Sequence, residues 1–318
     1  MVDDTQLAES KSIHRQTGKT FYYATRLLPE RVRHATYVLY AFFRVADEVV
    51  DDPDGRSPKE QRERLLEIRE QALGNEPTDD PVLSAFSELR VHHDIPDEEI
   101  TVFIDAMLAD TETSRYETYD ELEAYMRGSA AAVGVMMTDI IEPDDRETAL
   151  PHARTLGEAF QLTNFLRDVR EDVVERDRIY LPSETLERYG ADADDIERLR
   201  YTDEIGAAVH HELRRAERLY QEGVAGIKYL PRDCQLPVLT AAVLYADHHR
   251  LIRARGFDTV SETPSLGTLR KAYLVAKTRL YWLWNSDPEA VFAKVSEVPM
   301  VEEDRTPRTR PGDPLPTS

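Results

Sequence analysis

Apolar residues recur at spacings of three and four through nearly the whole chain, the pattern of helices that bury one face. Alternating apolar and polar residues, which would predict β-strands, are scarce. The periodicity therefore predicts an all-α fold, and 318 residues are ample for a core that encloses a ligand-sized cavity. The predicted helices cover residues 9–26, 30–52, 58–74, 80–92, 97–110, 119–141, 146–175, 203–229, 233–254 and 267–285.

Turn-forming residues separate the predicted helices. Each break contains Pro, Gly or Asp, and none is long enough to divide the chain into two domains. We therefore expect one all-α domain over residues 1–285. From residue 286 the sequence is rich in Pro and charge, which predicts an acidic C-terminal tail, largely disordered, over residues 286–318.

Cysteine usage and the N-terminal sequence indicate the cellular compartment. Cys234 is the only cysteine, so no intrachain disulfide can form, which fits the reducing cytoplasm. The N-terminal segment MVDDTQLAESKS has neither the basic nor the apolar part of a signal peptide. No stretch approaches the roughly 20 apolar residues of a spanning helix. We expect a cytoplasmic protein, soluble or peripheral to the cytoplasmic face of the membrane.

The formal net charge is −21, from 61 Asp and Glu against 40 Lys and Arg. The acidic residues are scattered over loops and outer helix faces. Distributed acidity of this size is a strategy of halophilic proteins, and it predicts adaptation to a salty cytoplasm. A basic partner would favour a clustered acidic surface, and nucleic-acid binding is disfavoured because a phosphate backbone would be repelled.

Two pairs of aspartates lie inside helical runs that are otherwise apolar: Asp47 with Asp51, and Asp168 with Asp172. An unpaired carboxylate in such a run costs several kcal/mol unless a cation compensates it. Residues four apart share a helix face, so each pair presents two carboxylates side by side. Two such helices facing each other would form an oxygen-rich cage of the kind that suits Mg²⁺.

Other polar residues extend both pairs along the same helix faces. Tyr40 and Arg44 precede the first pair, and Gln161, Asn164 and Arg167 precede or adjoin the second. One isolated pair in an acidic protein would be most simply interpreted as a structural Arg/Asp network. Two matched polar faces favour a functional site instead.

At these residues the chain resembles the squalene/phytoene synthase family of head-to-head prenyl synthases. The resemblance runs from about Lys11 to Trp284, and the motifs occur in the family's order. They are the segment Gly18-Lys19-Thr20-Phe21; Tyr40, Arg44, Asp47 and Asp51; Tyr125, Ala130, Val133 and Gly134; Gln161, Asn164, Arg167, Asp168 and Asp172; and Arg178-Ile179-Tyr180-Leu181-Pro182.

The sequence departs from the family pattern at three places. Gly18 stands where the family has Ser, which removes one hydroxyl from diphosphate binding. Glu48 stands where many relatives have Asp, and it keeps an oxygen ligand. The segment of residues 173–177 is one residue longer than the common pattern, which bears on the placement of Arg178 and Tyr180.

The resemblance implies a class I isoprenoid synthase fold, a single-domain helical bundle around a central cavity. It implies a Mg²⁺ site, with Mn²⁺ as a substitute, whose ligands are Asp47, Asp51, Asn164, Asp168 and Asp172. The implied catalytic residues are the same four aspartates together with Tyr40 and Tyr125. The implied substrate-binding residues are Lys19, Thr20, Phe21, Arg44, Ala130, Val133, Gln161, Asn164, Arg167, Arg178 and Tyr180.

The resemblance also implies the reaction. Two geranylgeranyl diphosphates condense through a cyclopropylcarbinyl (prephytoene) diphosphate to phytoene, a carotenoid precursor, without NADPH. Squalene or dehydrosqualene formation from farnesyl diphosphate is the alternative, and a non-catalytic binding or assembly factor is a second. A head-to-tail chain-elongating enzyme, which typically carries D-D-x-x-D, is disfavoured because residues 47–51 read D-E-V-V-D. The lipophilic product implies peripheral membrane contact, and the sequence predicts neither the surface that makes it nor the oligomeric state.

Two further features allow a structural interpretation. Residues 281–284, with the sequence YWLW, form either the core face of a helix or a membrane-interface contact, and the core is favoured. Cys234 lacks the surroundings of a nucleophile and is expected to be structural.

Overall fold

The computed structural model describes residues 24–51 and 56–299. These residues form helices and turns without a named β-strand, which confirms the all-α prediction. The α-helices are α1 (Glu30–Asp51), α2 (Pro58–Ala72), α3 (Pro81–His92), α4 (Asp97–Ala109), α5 (Tyr119–Met126), α6 (Ala132–Ile141), α7 (Arg146–Arg167), α8 (Val169–Arg176), α9 (Ser183–Tyr189), α10 (Ala193–Glu197), α11 (Asp203–Ala225), α12 (Arg232–Ala254), α13 (Thr268–Trp284) and α14 (Pro288–Val295). A π-helical turn (Arg127–Ala131) joins α5 to α6, and a 3-10 turn (Ile227–Tyr229) precedes α12.

Local capping signals set the start of several helices. Ser57 and Glu60 form a reciprocal capping box at α2, and Pro58 occupies the first helical position. The Asp80 side chain accepts the backbone N–H groups of Val82 and Leu83 at α3. These ends agree with the sequence prediction to within one or two residues because the caps are encoded locally.

Helix α7 lies at the centre of the fold and contacts α5, α6, α8, α11, α12 and the π-helical turn. Glycines allow the backbone of α7 to approach the backbone of neighbouring elements closely at two points. A Cβ on Gly157 would lie 2.5 Å from the carbonyl oxygen of Ala130, and one on Gly134 would lie 2.3 Å from that of Ala153. Because no side chain larger than hydrogen fits at these points, α7 packs directly against the backbone that carries Ala130.

The predicted helix 146–175 is broken at Asp168, where α7 ends and α8 begins. Asp168 has φ −100° and ψ 17°, outside the α-helical range. Its side chain pairs with Arg167, the adjacent residue, and adjacent residues of a regular helix do not face each other. The Arg170 N–H donates to the Thr259 carbonyl at 3.1 Å instead of to its own helix. Tertiary bonds therefore override the continuous helix that the periodicity predicted.

Three other expectations are corrected. The predicted helix 119–141 contains the π-helical turn, and two short helices, α9 and α10, lie between the predicted helices 146–175 and 203–229. The packed structure also continues past residue 285, because α14 buries Val291, Phe292 and Val295. The rest of the predicted tail, residues 300–318, and most of the predicted helix 9–26 lie outside the described residues.

The buried apolar side chains form two clusters. The larger extends from α1 to α12, and the smaller lies among α7, α11, α12, α13 and α14. Leu219, Leu230 and Val238 contact both clusters and so join them. None of the helices in the described parts of the chain is long and apolar enough to cross a membrane.

Candidate active site

A cavity of about 440 Å³ opens between α1, α4 and the α7–α8 region. Every predicted site residue that the structure describes lines it. These residues are Tyr40, Arg44, Asp47, Asp51, Tyr125, Ala130, Val133, Gln161, Asn164, Arg167, Asp168, Asp172, Arg178 and Tyr180. The predicted residues Lys19, Thr20 and Phe21 lie outside the described residues. Segments more than one hundred residues apart in sequence thus meet in one cavity.

The end of α1 forms the first acidic wall of the cavity. Arg44 Nη1 lies 3.7 Å from Asp47 Oδ2 and 3.8 Å from Asp51 Oδ2, and Arg44 Nη2 donates to Glu48 Oε1 at 3.3 Å. Burial, followed by the charge of Asp51, raises the pKa of Asp47 to about 7, although Arg44 acts in the opposite direction. One arginine is therefore shared among three carboxylates.

The α7–α8 break forms the second acidic wall. Arg167 Nε donates to Asp168 Oδ1 at 2.7 Å, and its Nη2 donates to Asp168 Oδ2, so the pair is bidentate. Asp172 is 8% exposed, and burial followed by the charge of Asp168 raises its pKa to about 8. Of the two aspartates, Asp168 has a close arginine partner, whereas the charge of Asp172 is less well compensated.

Arg176 connects the two walls. Its Nε donates to Asp51 Oδ1 at 3.1 Å, and its Nη1 lies 3.4 Å from Asp172 Oδ1. Asp51 belongs to α1 and Asp172 to α8, so a positive group placed between them attracts both helices. The sequence predicted that a cation would compensate the two aspartate pairs, and Arg176 places a positive charge between them.

Arg178 also contacts the acidic residues of the cavity, because the chain turns sharply just before it. Asp177 has φ +51° and ends α8, after which the chain reverses. Arg178 Nη1 then lies 3.8 Å from Asp51 Oδ1 and 3.7 Å from Asp110 Oδ2, while its Nη2 donates to the Asp110 carbonyl at 2.8 Å. The additional residue in the 173–177 segment therefore does not remove Arg178 from the cavity.

Sequence reasoning missed Asp110 and Arg176. Tyr125 donates its hydroxyl to Asp110 Oδ2 at 2.9 Å, and burial raises the pKa of Asp110 to about 6 against the opposing charge of Arg178. Asp110 follows α4 in a turn, far in sequence from both pairs, and no local signal marks it. Arg176 lies four residues after Asp172, so helical spacing could have found it.

An aromatic cluster lines the cavity beside the acidic walls. The Phe165 and Tyr180 rings stack at 3.8 Å, and Tyr116 and Tyr125 lie 5.8 and 5.9 Å from Tyr180. Burial raises the pKa of all three tyrosines, so their hydroxyls stay protonated. Ring faces carry partial negative charge and stabilise a nearby cation.

A second cavity of about 130 Å³ continues from the first, away from the acidic walls. The two cavities share Val133, Met137, Gly157 and Phe160. The lining of the second cavity is almost entirely apolar and comes from α6, α7, α11 and α12. A ligand with a charged end and a long apolar chain fits this succession of polar and apolar surfaces.

The acidic walls fit a divalent cation by their chemistry. All of the donors are carboxylate, amide or hydroxyl oxygens, the hard ligands that Mg²⁺ prefers. Burial of Asp47 and Asp172 raises their pKa values because the charges are incompletely balanced, and a bound divalent cation would balance them. Across the described chain, no three His, Cys, Asp or Glu side chains already converge on one point, so several ligands would have to be drawn together.

Comparison with known proteins identifies the family. The squalene/phytoene synthase family model matches residues 14–275. A phytoene synthase of Cereibacter sphaeroides is 32% identical over an alignment of 302 residues, and the alignment covers 92% of this chain and 82% of the relative. A 15-cis-phytoene synthase of Synechocystis sp. is 31% identical and covers 86% of this chain and 82% of its own length.

Solved structures agree with the sequence comparison. A dehydrosqualene synthase in complex with a ligand aligns with a TM-score of 0.78 at 27% identity and covers 88% of this chain and 98% of its own. A squalene synthase from Alicyclobacillus acidocaldarius aligns with a TM-score of 0.71 at 24% identity, which supports the fold. The helical bundle, its cavity and the matched residues place the chain in one family: it belongs to the squalene/phytoene synthases.

Proposed function

We propose that the chain is a phytoene synthase, a prenyltransferase that joins two geranylgeranyl diphosphates head to head. The product is phytoene, formed through a cyclopropylcarbinyl (prephytoene) diphosphate with release of diphosphate, in carotenoid biosynthesis. One observation carries the proposal: a cavity with two acidic walls and several arginines continues into a second cavity whose lining is almost entirely apolar. Similarity to curated phytoene synthases over most of the chain supports this choice within the family.

The first step is loss of diphosphate from an allylic carbon. Asp47, Asp51, Asp168, Asp172 and Asn164 would hold Mg²⁺, or Mn²⁺ in its place, and the bound ion would supply Lewis-acid neutralisation of the leaving group's charge. Arg44, Arg167 and Arg178 bind phosphate oxygens, and the planar guanidinium groups do so bidentately. Each of these arginines lies beside an aspartate, so it is held in place before the substrate arrives. Gln161 lines the same wall and can donate its amide to the diphosphate.

The allylic cation formed next must be kept from water until the double bond of the second substrate attacks it. The apolar side chains of both cavities exclude water from the prenyl chains. Phe165, Tyr180 and Tyr125 line the cavity, and we propose that these aromatic rings stabilise positive charge on the prenyl chain. Tyr40 lines the cavity on α1 and is placed near the diphosphate end of the substrate.

The final step distinguishes the members of the family by electron balance. Attack by the double bond, with loss of one proton, closes the cyclopropane ring, and departure of the intermediate's own diphosphate then leaves a second carbocation. This cation rearranges and becomes phytoene by losing a second proton, whereas squalene formation would require a hydride from NADPH instead. We therefore expect phytoene formation without a nicotinamide. The similarity to a solved dehydrosqualene synthase favours a C15 substrate as the second candidate function. A purely non-catalytic factor is disfavoured because all four aspartates are present and line one cavity.

Incubation of the purified chain with Mg²⁺ and radiolabelled geranylgeranyl or farnesyl diphosphate, with and without NADPH, tests this proposal. The expected product is a C40 hydrocarbon from the C20 substrate in the absence of NADPH. A C30 product made faster from the C15 substrate would establish the alternative. Absence of any hydrocarbon product from either substrate would overturn the enzymatic function.

The proposal includes a cellular setting. A C40 hydrocarbon is insoluble in water and must pass to a lipid phase, so we propose a cytoplasmic protein that contacts the cytoplasmic face of the membrane peripherally. Prenyl diphosphates are the proposed substrates, and nucleic acid is not a proposed partner.

A further inference from the structure

One face of α13 exposes a row of large apolar side chains to solvent. Leu283 is 81% exposed and Trp284 is 85% exposed, which is unusual for side chains of this size. The exposed row consists of Leu269, Ala272, Tyr273, Ala276, Leu280, Leu283 and Trp284. Successive members are one, three or four positions apart, so they lie on one side of the helix.

The opposite side of α13 is already packed, so the exposed row is not needed for folding. Leu274 and Thr278 are buried, and Tyr281 and Trp282 pack against the smaller core cluster. The YWLW run at residues 281–284 is therefore divided: its first two residues face the core and its last two face outward. The core interpretation therefore holds for Tyr281 and Trp282, and a membrane-interface contact stays a prediction for Leu283 and Trp284.

The charge of α13 is opposite to that of the protein. Its sequence contains Arg270, Lys271, Lys277 and Arg279 and no acidic residue, while the whole chain has a net charge of −21. Arg279 is exposed and borders the exposed row on one side, since it lies three residues after Ala276 and four before Leu283. Arg270 also anchors the helix to the body through Asp247, at 2.6 Å.

We propose that the exposed row of α13 docks the protein on the surface of an anionic lipid bilayer. The helix lies parallel to the surface, its apolar side chains enter the acyl boundary, and Arg279 meets the lipid phosphates. Arg270 and Lys277 contact the protein instead, through Glu297 at 2.8 Å and the Val295 carbonyl at 3.3 Å. Trp284 and Tyr273 suit the interfacial layer, where amphipathic aromatic rings are favoured. Membrane contact itself rests on the proposed function, whereas its assignment to α13 rests on the exposure and charge of this helix.

Charge also argues against two other occupants of this face. A second copy of the chain would bring two cationic helices together, and like charges repel. The C-terminal residues 301–318 are partly acidic, but Val301 and Leu315 are their only large aliphatic residues. They offer too little apolar surface to cover the exposed row. A bilayer supplies both the apolar phase and the negative charge.

Vesicle flotation with the full-length protein tests the proposal. The vesicles are phosphatidylcholine alone and an equal mixture of phosphatidylcholine and phosphatidylglycerol. At an ionic strength of about 0.15 M the Debye length is about 8 Å, which screens repulsion from acidic residues elsewhere on the protein. We expect the protein to float with the anionic mixture and less with the neutral vesicles. Its tryptophan fluorescence should move to shorter wavelength, because Trp284 leaves water.

Three variants locate the contact. Leu280→Ser combined with Leu283→Ser should weaken binding by at least about tenfold, because the variant loses two apolar side chains that enter the acyl boundary. Arg279→Glu should reduce binding to the anionic mixture towards the neutral level. Trp284→Phe should keep flotation and lose most of the fluorescence shift, because Trp282 is then the only tryptophan. Val91→Ser is the matched control, since Val91 is 65% exposed on a different helix, α3.

Far-UV circular dichroism checks that each variant is folded. The proposal is overturned if the wild-type chain does not float with the anionic mixture, or if the double leucine variant binds as tightly as wild type. A dimer in sedimentation analysis that the double variant abolishes would assign the row to a second copy. If the protein floated only after residues 300–318 were removed, the result would mean that these residues cover the exposed row in the full-length protein.

Discussion

The two aspartate pairs have identical sequence spacing but different surroundings. The first lies on a continuous helix, α1, and the second spans the break between α7 and α8. In each pair one carboxylate has a close arginine: Asp51 accepts from Arg176 at 3.1 Å, and Asp168 accepts from Arg167 at 2.7 Å.

The other carboxylate of each pair is less well compensated. The nearest guanidinium nitrogen is 3.7 Å from Asp47 and 3.4 Å from Asp172, and the pKa values of both are raised. Spacing alone determines which side chains are neighbours, whereas burial and arginine contacts determine which of them still requires a cation. We therefore expect the two walls to contribute equally to catalysis only if metal ions are bound by the carboxylates of both.

The largest expected effect comes from removing the less compensated carboxylate of either wall. Asp47→Asn and Asp172→Asn should each lower kcat by more than about hundredfold, because loss of a supporting contact alone costs 10- to 100-fold at metal sites. Steady-state turnover of geranylgeranyl diphosphate at saturating Mg²⁺ measures this. Glu30→Gln is the control on the same helix, since the Glu30 side chain is 77% exposed and lines neither cavity, and it should retain most activity. If Asp172→Asn remained active while Asp47→Asn lost activity, the two walls would not contribute equally to catalysis.

Arg176 should have the next largest effect because it joins the walls. Arg176→Gln removes the contacts to Asp51 and Asp172, and we expect a loss of about 10- to 100-fold in kcat/KM. Arg176→Lys keeps the charge but not the planar geometry and should recover only part of the loss. Unchanged kinetics in both variants would mean that the walls do not depend on this bridge.

Substrate length should respond to the passage between the two cavities. Val133 lines both, so Val133→Phe should narrow the passage and favour the C15 over the C20 diphosphate by about tenfold in kcat/KM. Competition between the two labelled substrates gives this ratio directly. Tyr229→Phe, at a partly exposed residue that lines neither cavity, is the control. An unchanged ratio would place the chain-length determinant elsewhere.

The smallest expected effect is on stability without metal. Aspartate ordinarily has a pKa of 3.8, and in the folded protein that of Asp172 is about 8 and that of Asp47 about 7. The folded protein therefore holds protons that the unfolded chain releases. This contribution is complete below about pH 4 and is lost as the pH rises through about 7 for Asp47 and about 8 for Asp172.

In the presence of a chelator, the melting temperature should fall between pH 5 and pH 8. A loss of 1 kcal/mol corresponds to roughly 2–4 °C for domains of 150–250 residues, so a shift of at least about 2 °C is expected. Asp172→Asn should flatten this dependence, and Mg²⁺ should stabilise the wild type more at pH 8 than at pH 5. A melting temperature that rises with pH in the chelator would contradict the assigned charge states.

Local signals made much of the fold predictable. Helix α1 and its aspartates follow from periodicity within one segment, and α2 and α3 begin at caps that are visible in the sequence. Helix α14 had such a signal, Asp287 followed by Pro288, and was missed because the surrounding composition was interpreted as a tail.

Features that depend on tertiary contacts were not predictable. The break at Asp168 has no Pro or Gly and comes from its pairing with Arg167 and from the Arg170 bond to Thr259. Asp110 enters the site only because α4 ends beside Tyr125 and Arg178. The predicted roles of the site residues stay predictions, although the cavity gathers all of those that the structure describes.

A crystal structure with Mn²⁺ and an unreactive thiolo analogue of geranylgeranyl diphosphate would test most directly whether the two walls form one metal–diphosphate site. Anomalous scattering locates the metal ions. We predict metal bound by carboxylates of both α1 and the α7–α8 region, with the diphosphate between them and the prenyl chain extending past Val133. Metal bound to one wall alone, or a diphosphate held away from both, would contradict a single shared site.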